Sequence, residues 1–442
     1  MNFKNKHLQY VIGLVIALIT MIPPVPKALR YLLAFVPILF FGADLVLKYL
    51  KELGSKVYIN RYLTGILVTL GLVITAKFSY AAMTAIFFSA AEFYFGIMTD
   101  KAMRRMDDHS RITAPYAKTF TDGRIIRVAT TAIVPGQVLA LEAGDIIPCD
   151  CSVINGEAEL DYTNVFGQDE LRYAKAGSPC FSGGIVQTGK LTVKAVKTAK
   201  DSLAALIDYR TKKAQAPSKL QNKIKGWTKL FEPAFYALAL LIFIILLIVT
   251  KDFALAVNQT SVILVASAVT GLSGTLPMLN RNALLSGRRR GVIFANVEAL
   301  EQSGKLQTVS VNEAVSPEVL TKIEETGAIP ATGGNTALDA VLYRDKAMLE
   351  ADPNPSFKLA LGFFSPNAQA SALDSKPERI AGAIRTGRNH RSVFLQNLIC
   401  LGAEKLALIA LVFLLNITPA AAIVIEFAAW TLCMLNASKE NM

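Results

Sequence analysis

The stretch from Arg124 to Val196 decides the fold. It reads RIIRVATTAIV (Arg124–Val134), QVLALEAGDIIP (Gln137–Pro148), CSVING (Cys151–Gly156) and GGIVQTGKLTVKAV (Gly183–Val196). Short Val- and Ile-rich runs that alternate and are broken by glycine predict strands joined by tight turns. An all-β unit is expected here, with helical flanks that extend it to residues 100–228.

Apolar runs flank this unit. Eight approach the roughly 20 residues that cross a bilayer as a helix: Leu8–Pro26, Tyr31–Leu50, Tyr62–Lys77, Tyr80–Thr99, Leu230–Thr250, Ala254–Pro277, Val393–Leu415 and Pro419–Leu435. Short turns inside each successive pair make the pairs helical hairpins. Lys4 and Lys6 precede the first run in the manner of a signal peptide, but no small-residue cleavage site follows, so it is read as a retained span. A second polar block, 280–391, suits one small α/β domain. The expected order is four transmembrane helices (1–99), the β unit (100–228), two helices (229–279), the α/β block (280–391) and two helices (392–442).

Composition agrees. Charged residues make up 18%, against roughly 25% in soluble domains. The net charge of +12 gathers beside the polar blocks, at Arg104, Arg105, Arg288, Arg289, Arg290, Arg385, Arg388 and Arg391. Under the positive-inside rule both blocks and both termini face the cytoplasm of a multi-pass protein of the cell membrane. No basic stripe interleaved with aromatics is present, so nucleic acid is not an expected partner. The bilayer is, together with another transporter or membrane protein. Five scattered cysteines and three histidines form neither a disulfide framework nor a histidine-rich metal tract.

The ensemble resembles a heavy-metal P-type ATPase of the zinc/cadmium/lead type. GDIIPCD (Gly144–Asp150) resembles the family's G-D-x-I-P-A-D, which makes the β unit actuator-like. GRRRGVIFANVEALEQSGKLQTVSV (Gly287–Val311) is similar to the approach to the phosphorylation domain. RSVFLQNLICLGAEKLALIALVFLL (Arg391–Leu415), Glu426 and LCMLNA (Leu432–Ala437) are similar to the family's last spans. The resemblance implies eight transmembrane helices in hairpin pairs, an all-β actuator-like domain and a truncated phosphorylation-like α/β domain.

The departures fall on the chemistry. The family accepts phosphate on the aspartate of D-K-T-G-T; here the stretch is Asn312-Glu313-Ala314-Val315-Ser316. An amide is not a competent nucleophile, and Glu313, one position on, is misplaced for the role. The actuator's T-G-E becomes Phe166-Gly167-Gln168, and Gln168 cannot take a proton from water. Asp169 and Glu170 follow as loop carboxylates. The nucleotide-binding domain has no room after Asn312, and the family's magnesium motif is missing. Neither ATP nor magnesium is therefore an expected cofactor. In the sixth span Ala268-Val269-Thr270 stands where the family places C-P-C, so no thiolate remains there for a soft metal.

Lys405 and Glu426 lie within the last two spans, where a lone charge costs about 2.5–3.5 kcal/mol. The expected solution is an ion pair, with a remnant of an ion path as the alternative. Glu404, Glu92 and Asp44 are further acidic positions read as interfacial or packing, and Cys400 and Cys433 as apolar filler. Cys149 and Cys151 are the only close thiol pair, two short of a tetrahedral metal set. The loop Phe166–Glu170, with Phe166 at an exposed tip, is the candidate interaction surface. Three functions compete: a catalytically silent pseudo-pump acting as a scaffold or regulatory partner, a passive or ion-coupled metal cation pathway, and an active heavy-metal pump.

Overall fold

The computed structural model describes the chain outside residues 1–2, 23–25, 55–57, 111–113, 122–123, 167–170, 214–215, 268–269, 312–316, 333–339, 354–356 and 439–442. In chain order come helices α1 (Phe3–Ile19), α2 (Lys27–Leu53), α3 (Arg61–Ile74) and α4 (Phe78–Ser110). Then follow β1 (Tyr116–Thr121), β2 (Arg124–Ala129), β3 (Val138–Glu142), β4 (Cys151–Asp161), the single turn α5 (Thr163–Phe166), β5 (Leu171–Ala174), β6 (Pro179–Cys180), β7 (Ile185–Ala195) and α6 (Leu203–Lys213). Helices α7 (Lys219–Thr250), α8 (Phe253–Ala266) and α9 (Thr270–Arg289) lead to β8 (Val292–Phe294), α10 (Val297–Ser303), β9 (Thr308–Val311), α11 (Pro317–Glu325), β10 (Ile329–Thr332), β11 (Ala340–Tyr343), α12 (Lys346–Ala351), β12 (Phe357–Leu361) and β13 (Ala370–Ala372). The chain ends with α13 (Glu378–Leu415) and α14 (Pro419–Ser438).

Two compact units result. The helical unit comprises Met1–Lys101, Gln221–Pro277 and Leu395–Ala437; the other comprises Ala102–Leu220, Met278–Phe394 and Ser438–Met442. Among the described residues, α2, α7, α13 and α14 are long and apolar enough to cross a membrane. Four shorter apolar helices accompany them: His7–Ile19, Arg61–Ile74, Phe78–Ala91 and Phe253–Ala266. Within the span predicted over Ala254–Pro277, α8 runs to Ala266 and α9 is described from Thr270. Ser267 follows α8 in right-handed helical geometry, with its N–H on the carbonyls of Ile263 and Leu264 and its hydroxyl donated to Leu264 at 2.6 Å.

The first sheet is antiparallel, in the order β2-β1-β3-β7-β4-β5 with β6 also on β4. The long β4–β7 ladder carries it, and its inward positions follow the period of two seen in the sequence, with Val153, Ala158, Leu160, Val186, Leu191 and Val193 buried. The second sheet runs β10-β9-β11-β12-β13-β8, parallel except for β8, which pairs antiparallel with β13. Helix α11 makes the crossover from β9 to its parallel neighbour β10, and α12 that from β11 to β12.

Strand β8 joins the two sheets. Side chains alternate across a strand. Val292 and Phe294 enter the α/β core with Leu359 and Ile384, while Ile293 enters the core of the antiparallel sheet with Val165, Phe166 and Ile207. Phe364 and Leu373 pack on that same core from the α/β side.

Candidate functional site

The charges of the last two helices meet as the sequence suggests. Lys405 Nζ, on α13, donates to Glu426 Oε2 on α14. Glu404, read from the sequence as interfacial or packing, is instead part of the cluster. Its Oε2 lies 3.1 Å from Lys405 Nζ, and its side chain is only 5% exposed. A single ammonium thus faces two carboxylates. One face of α13 continues the polar seam, where Asn397 donates to the Cys433 carbonyl at 3.1 Å. Cys400 and Cys433 pack with Leu401 and Ala429 as apolar contacts. No group of three metal-capable side chains occurs among the described residues.

Asp44 is likewise more than packing. Lys48, one turn on, approaches it at 2.7 Å, Ser89 donates its hydroxyl to it, and Tyr10 donates to the Ser89 carbonyl at 3.1 Å. Lys48 is its i,i+4 neighbour on α2, while Ser89 reaches it from α4, a partner that sequence spacing alone does not reveal. The side chain of Glu92 lies outside the described residues. A polar band on α8 is a further feature that hydropathy averaging hides. Asn258 accepts from Lys77 Nζ at 3.0 Å and donates to the Ile417 carbonyl at 3.3 Å, and Gln259 donates to Asn416.

In the antiparallel sheet, Asp150 of GDIIPCD is a buried hub. Its Oδ1 accepts from the Ser182 amide and hydroxyl, both at 3.0 Å, and from the Leu203 amide at 3.2 Å. Its Oδ2 accepts from Lys197 Nζ at 3.0 Å. The carboxylate therefore ties the end of the ladder to the first turn of α6, where negative charge is favoured. Cys149 and Cys151 are buried with their sulfurs 3.5 Å apart, and Cys180 sits across the ladder from Cys151. The neighbouring Cys149 thiol and burial hold Cys151 well above the usual thiol range, burial pushes Cys180 up to about 11, and the Cys151 contact draws Cys149 down. All three sulfurs belong to the core of the antiparallel sheet.

Phe166 is not an exposed tip. It is 3% exposed, because α5 rolls it inward. The Asp161 carboxylate accepts from the Thr163 amide at 2.8 Å, and the Phe166 amide closes the turn on the Tyr162 carbonyl. The Phe166 ring lies 5.3 Å from Tyr162 and 5.8 Å from Phe181, with Arg172 stacked 4.4 Å above it. Gly167, Gln168, Asp169, Glu170, Asn312 and Glu313 lie outside the described residues. What is described around Asn312 is the connection: β9 ends at Val311 and α11 starts at Pro317.

Two buried arginines hold the sheets together. Arg210 of α6 donates to the carbonyls of Ser365 at 2.6 Å, Pro366 at 2.8 Å and Ala368 at 2.8 Å, and it stacks on Phe364. Burial lowers its pKa from the ordinary guanidinium value. Arg288 donates to the Asn164 carbonyl at 2.9 Å, and burial draws its pKa down to about 10. Beside it Gly291 adopts φ +75°, and a Cβ there would stand 2.3 Å from the Phe166 carbonyl oxygen. Nothing in local sequence spacing pairs Arg210 with Ser365; the signal available is an arginine on an otherwise amphipathic helix.

Residues 111–211 match the P-type ATPase actuator domain. The chain is 22% identical over 314 residues to a cadmium, zinc and cobalt-transporting ATPase of Bacillus subtilis, a match covering 70% of this chain and 44% of that protein. It is 26% identical over 223 residues to a copper-transporting ATPase of Helicobacter pylori, covering 48% and 30% respectively. It is 27% identical over 199 residues to a silver exporting P-type ATPase of Salmonella typhimurium, covering 43% and 24%. The chain spans less than half the length of these relatives. A crystal structure of a zinc-transporting PIB-type ATPase aligns with 98% of this chain and 100% of its own, at 13% identity and a TM-score of 0.47.

Proposed function

From a chain that carries a P-type ATPase actuator domain and has heavy-metal P-type ATPases as relatives, we propose a catalytically silent pseudo-pump that serves as a scaffold or regulatory partner in metal or ion transport. The observation that carries this reading is the connection from β9 to α11. Only residues 312–316 separate the two elements. The family's nucleotide-binding domain would have to leave the sheet there, and five residues cannot supply it. Asn312 at the nucleophile's place and Gln168 in the actuator loop support the same conclusion.

The joined sheets support it too. A pump cycle requires its actuator to move against the phosphorylation domain. Here β8 is buried on both faces and Arg210 binds three carbonyls across the junction. Interfaces with this much buried apolar and charged contact resist domain motion. In this reading both termini and both polar blocks are cytoplasmic, the membrane is the cell membrane, and the partner is another transporter or membrane protein. ATP, magnesium and a resident transition metal have no part in it.

Labelled ATP tests the proposal. The purified full chain is expected to take up no hydroxylamine-sensitive phosphate. Acid-stable label that disappears in Asn312→Ala or Glu313→Ala would overturn it. The Glu404–Lys405–Glu426 cluster favours a second reading, a passive or ion-coupled cation pathway. Cation flux into proteoliposomes, abolished by Glu426→Gln, would establish that reading instead.

A further inference from the structure

The cluster on α13 and α14 does not balance its charge. Lys405 is the ammonium in contact with Glu404 and Glu426, giving two carboxylates to one cation. Glu404 and Glu426 are buried, with side chains 5 and 7% exposed, and Lys405 is mostly covered at 13%. Among the described residues, neither oxygen of Glu404 accepts a hydrogen bond, and neither does Oε1 of Glu426. The ionisable groups acting on Glu426 are Lys405 and Glu404. Cys433, two turns further along α14, is flanked by Cys400. Also beside α14, α1 and α4 bring Tyr10 and Tyr94 to an apolar cavity of about 330 Å³ that they share with Ile423 and Phe427. A thiol or a phenol carries no positive charge in either of its forms, so none of these groups supplies a second cation.

A carboxylate taken from water without a counter-charge or donors is among the most costly arrangements in an apolar medium. Moving a metal ion into the cluster would set it against the Lys405 ammonium, and the described residues lack a third ligand. A proton meets every requirement. It removes the unmatched charge, occupies one unpartnered oxygen and supplies an O–H donor to another. We propose that Glu404 and Glu426 together hold one exchangeable proton, which makes this cluster a proton-binding site within the helical unit. The proton is taken from water and returned to water; one O–H bond forms or breaks, and no redox partner is involved. Lys405 fixes the stoichiometry at one by neutralising the other carboxylate.

Infrared difference spectroscopy on the full chain in lipid nanodiscs tests this, using carboxyl-¹³C-labelled glutamate and a step in pH. The wild type is expected to show a carboxylic-acid C=O band that shifts with the label and with D₂O. Glu404→Gln and Glu426→Gln each leave one carboxylate for Lys405, so either should abolish the band. Lys405→Met leaves two carboxylates without a cation, and the band should roughly double. Absence of a labelled band in the wild type at every pH where the protein is folded would overturn the proposal. So would a band that survives both Gln variants, or one that responds to sodium and not to pH. If the Gln variants do not accumulate, Glu404→Asp and Glu426→Asp replace them: each removes one labelled carboxyl, and a labelled band unchanged in both would overturn the proposal. None of these outcomes bears on ATP labelling, so this site and the silent-pump reading stand or fall separately.

Discussion

The guanidinium of Arg210 donates to the backbone carbonyl of Ser365 at 2.6 Å, across 155 residues of sequence. Two more carbonyls, of Pro366 and Ala368, complete its coordination, so one side chain satisfies a turn of the α/β domain from the helix that closes the β domain. Removing it leaves buried acceptors without donors. Arg210→Met should destabilise the full chain by about 3 kcal/mol, given roughly 1–3 kcal/mol for each group left unsatisfied and incomplete additivity. Thermal unfolding in detergent measures this. An unchanged midpoint would mean that the junction contributes nothing to stability.

Phe166→Ala should cost about 3–5 kcal/mol, the range for emptying a buried aromatic site. Its ring is enclosed by Tyr162, Phe181 and Arg172. Limited proteolysis would show the loss as faster cleavage of the whole β unit. If Phe166→Ala left proteolysis and melting unaltered while releasing a bound protein, the ring would have to be a contact surface after all.

Gly291→Ala should destabilise by about 1–3 kcal/mol, since φ +75° is a left-handed conformation that L side chains rarely adopt. The added methyl would also meet the Phe166 carbonyl and the Arg379 guanidinium, and Arg379 is already engaged with Asp374 at 2.7 Å. The melting midpoint of Gly291→Ala beside that of a control such as Gly226→Ala, which has open space for the methyl, separates this from a general effect of losing glycine.

Single and double replacements at Lys405 and Glu426 should be non-additive and asymmetric. Lys405→Ala leaves two carboxylates facing each other and should cost about 3–5 kcal/mol. Glu426→Ala leaves Lys405 paired with Glu404, so its cost should be smaller. The double variant should lose less than the sum. Melts that add, or a Glu426→Ala more damaging than Lys405→Ala, would show that Glu404 does not share the ammonium.

Much of the frame is legible in the sequence because it rests on local periodicities. The strands of the GDIIPCD region alternate as their burial does, and α2, α7, α13 and α14 announce themselves by hydropathy. Lys405 and Glu426 are pairable on sight, because a charge inside an apolar run has few solutions. Phe166 misleads a reading of the sequence because one helical turn, set by Asp161 and the Tyr162 carbonyl, reverses which way a loop residue points. Glu404 is undervalued for a similar reason: a neighbour in sequence normally faces elsewhere on a helix, and only the long reach of Lys405 brings the two charges together. Arg210 and its carbonyls lie too far apart in the chain for any local rule.

Strand β8 also bears on how the protein is made. Ile293 belongs to the core of a sheet whose own strands end at Ala195, and α7 and α8 are synthesised in between. While the ribosome completes those helices, the antiparallel sheet lacks a core residue and leaves Val165, Phe166 and Ile207 incompletely covered. It closes only once the chain has passed through the helical segment and delivered β8 beside it. The core of the antiparallel sheet is therefore finished by a strand that leaves the ribosome after every strand of that sheet has been made.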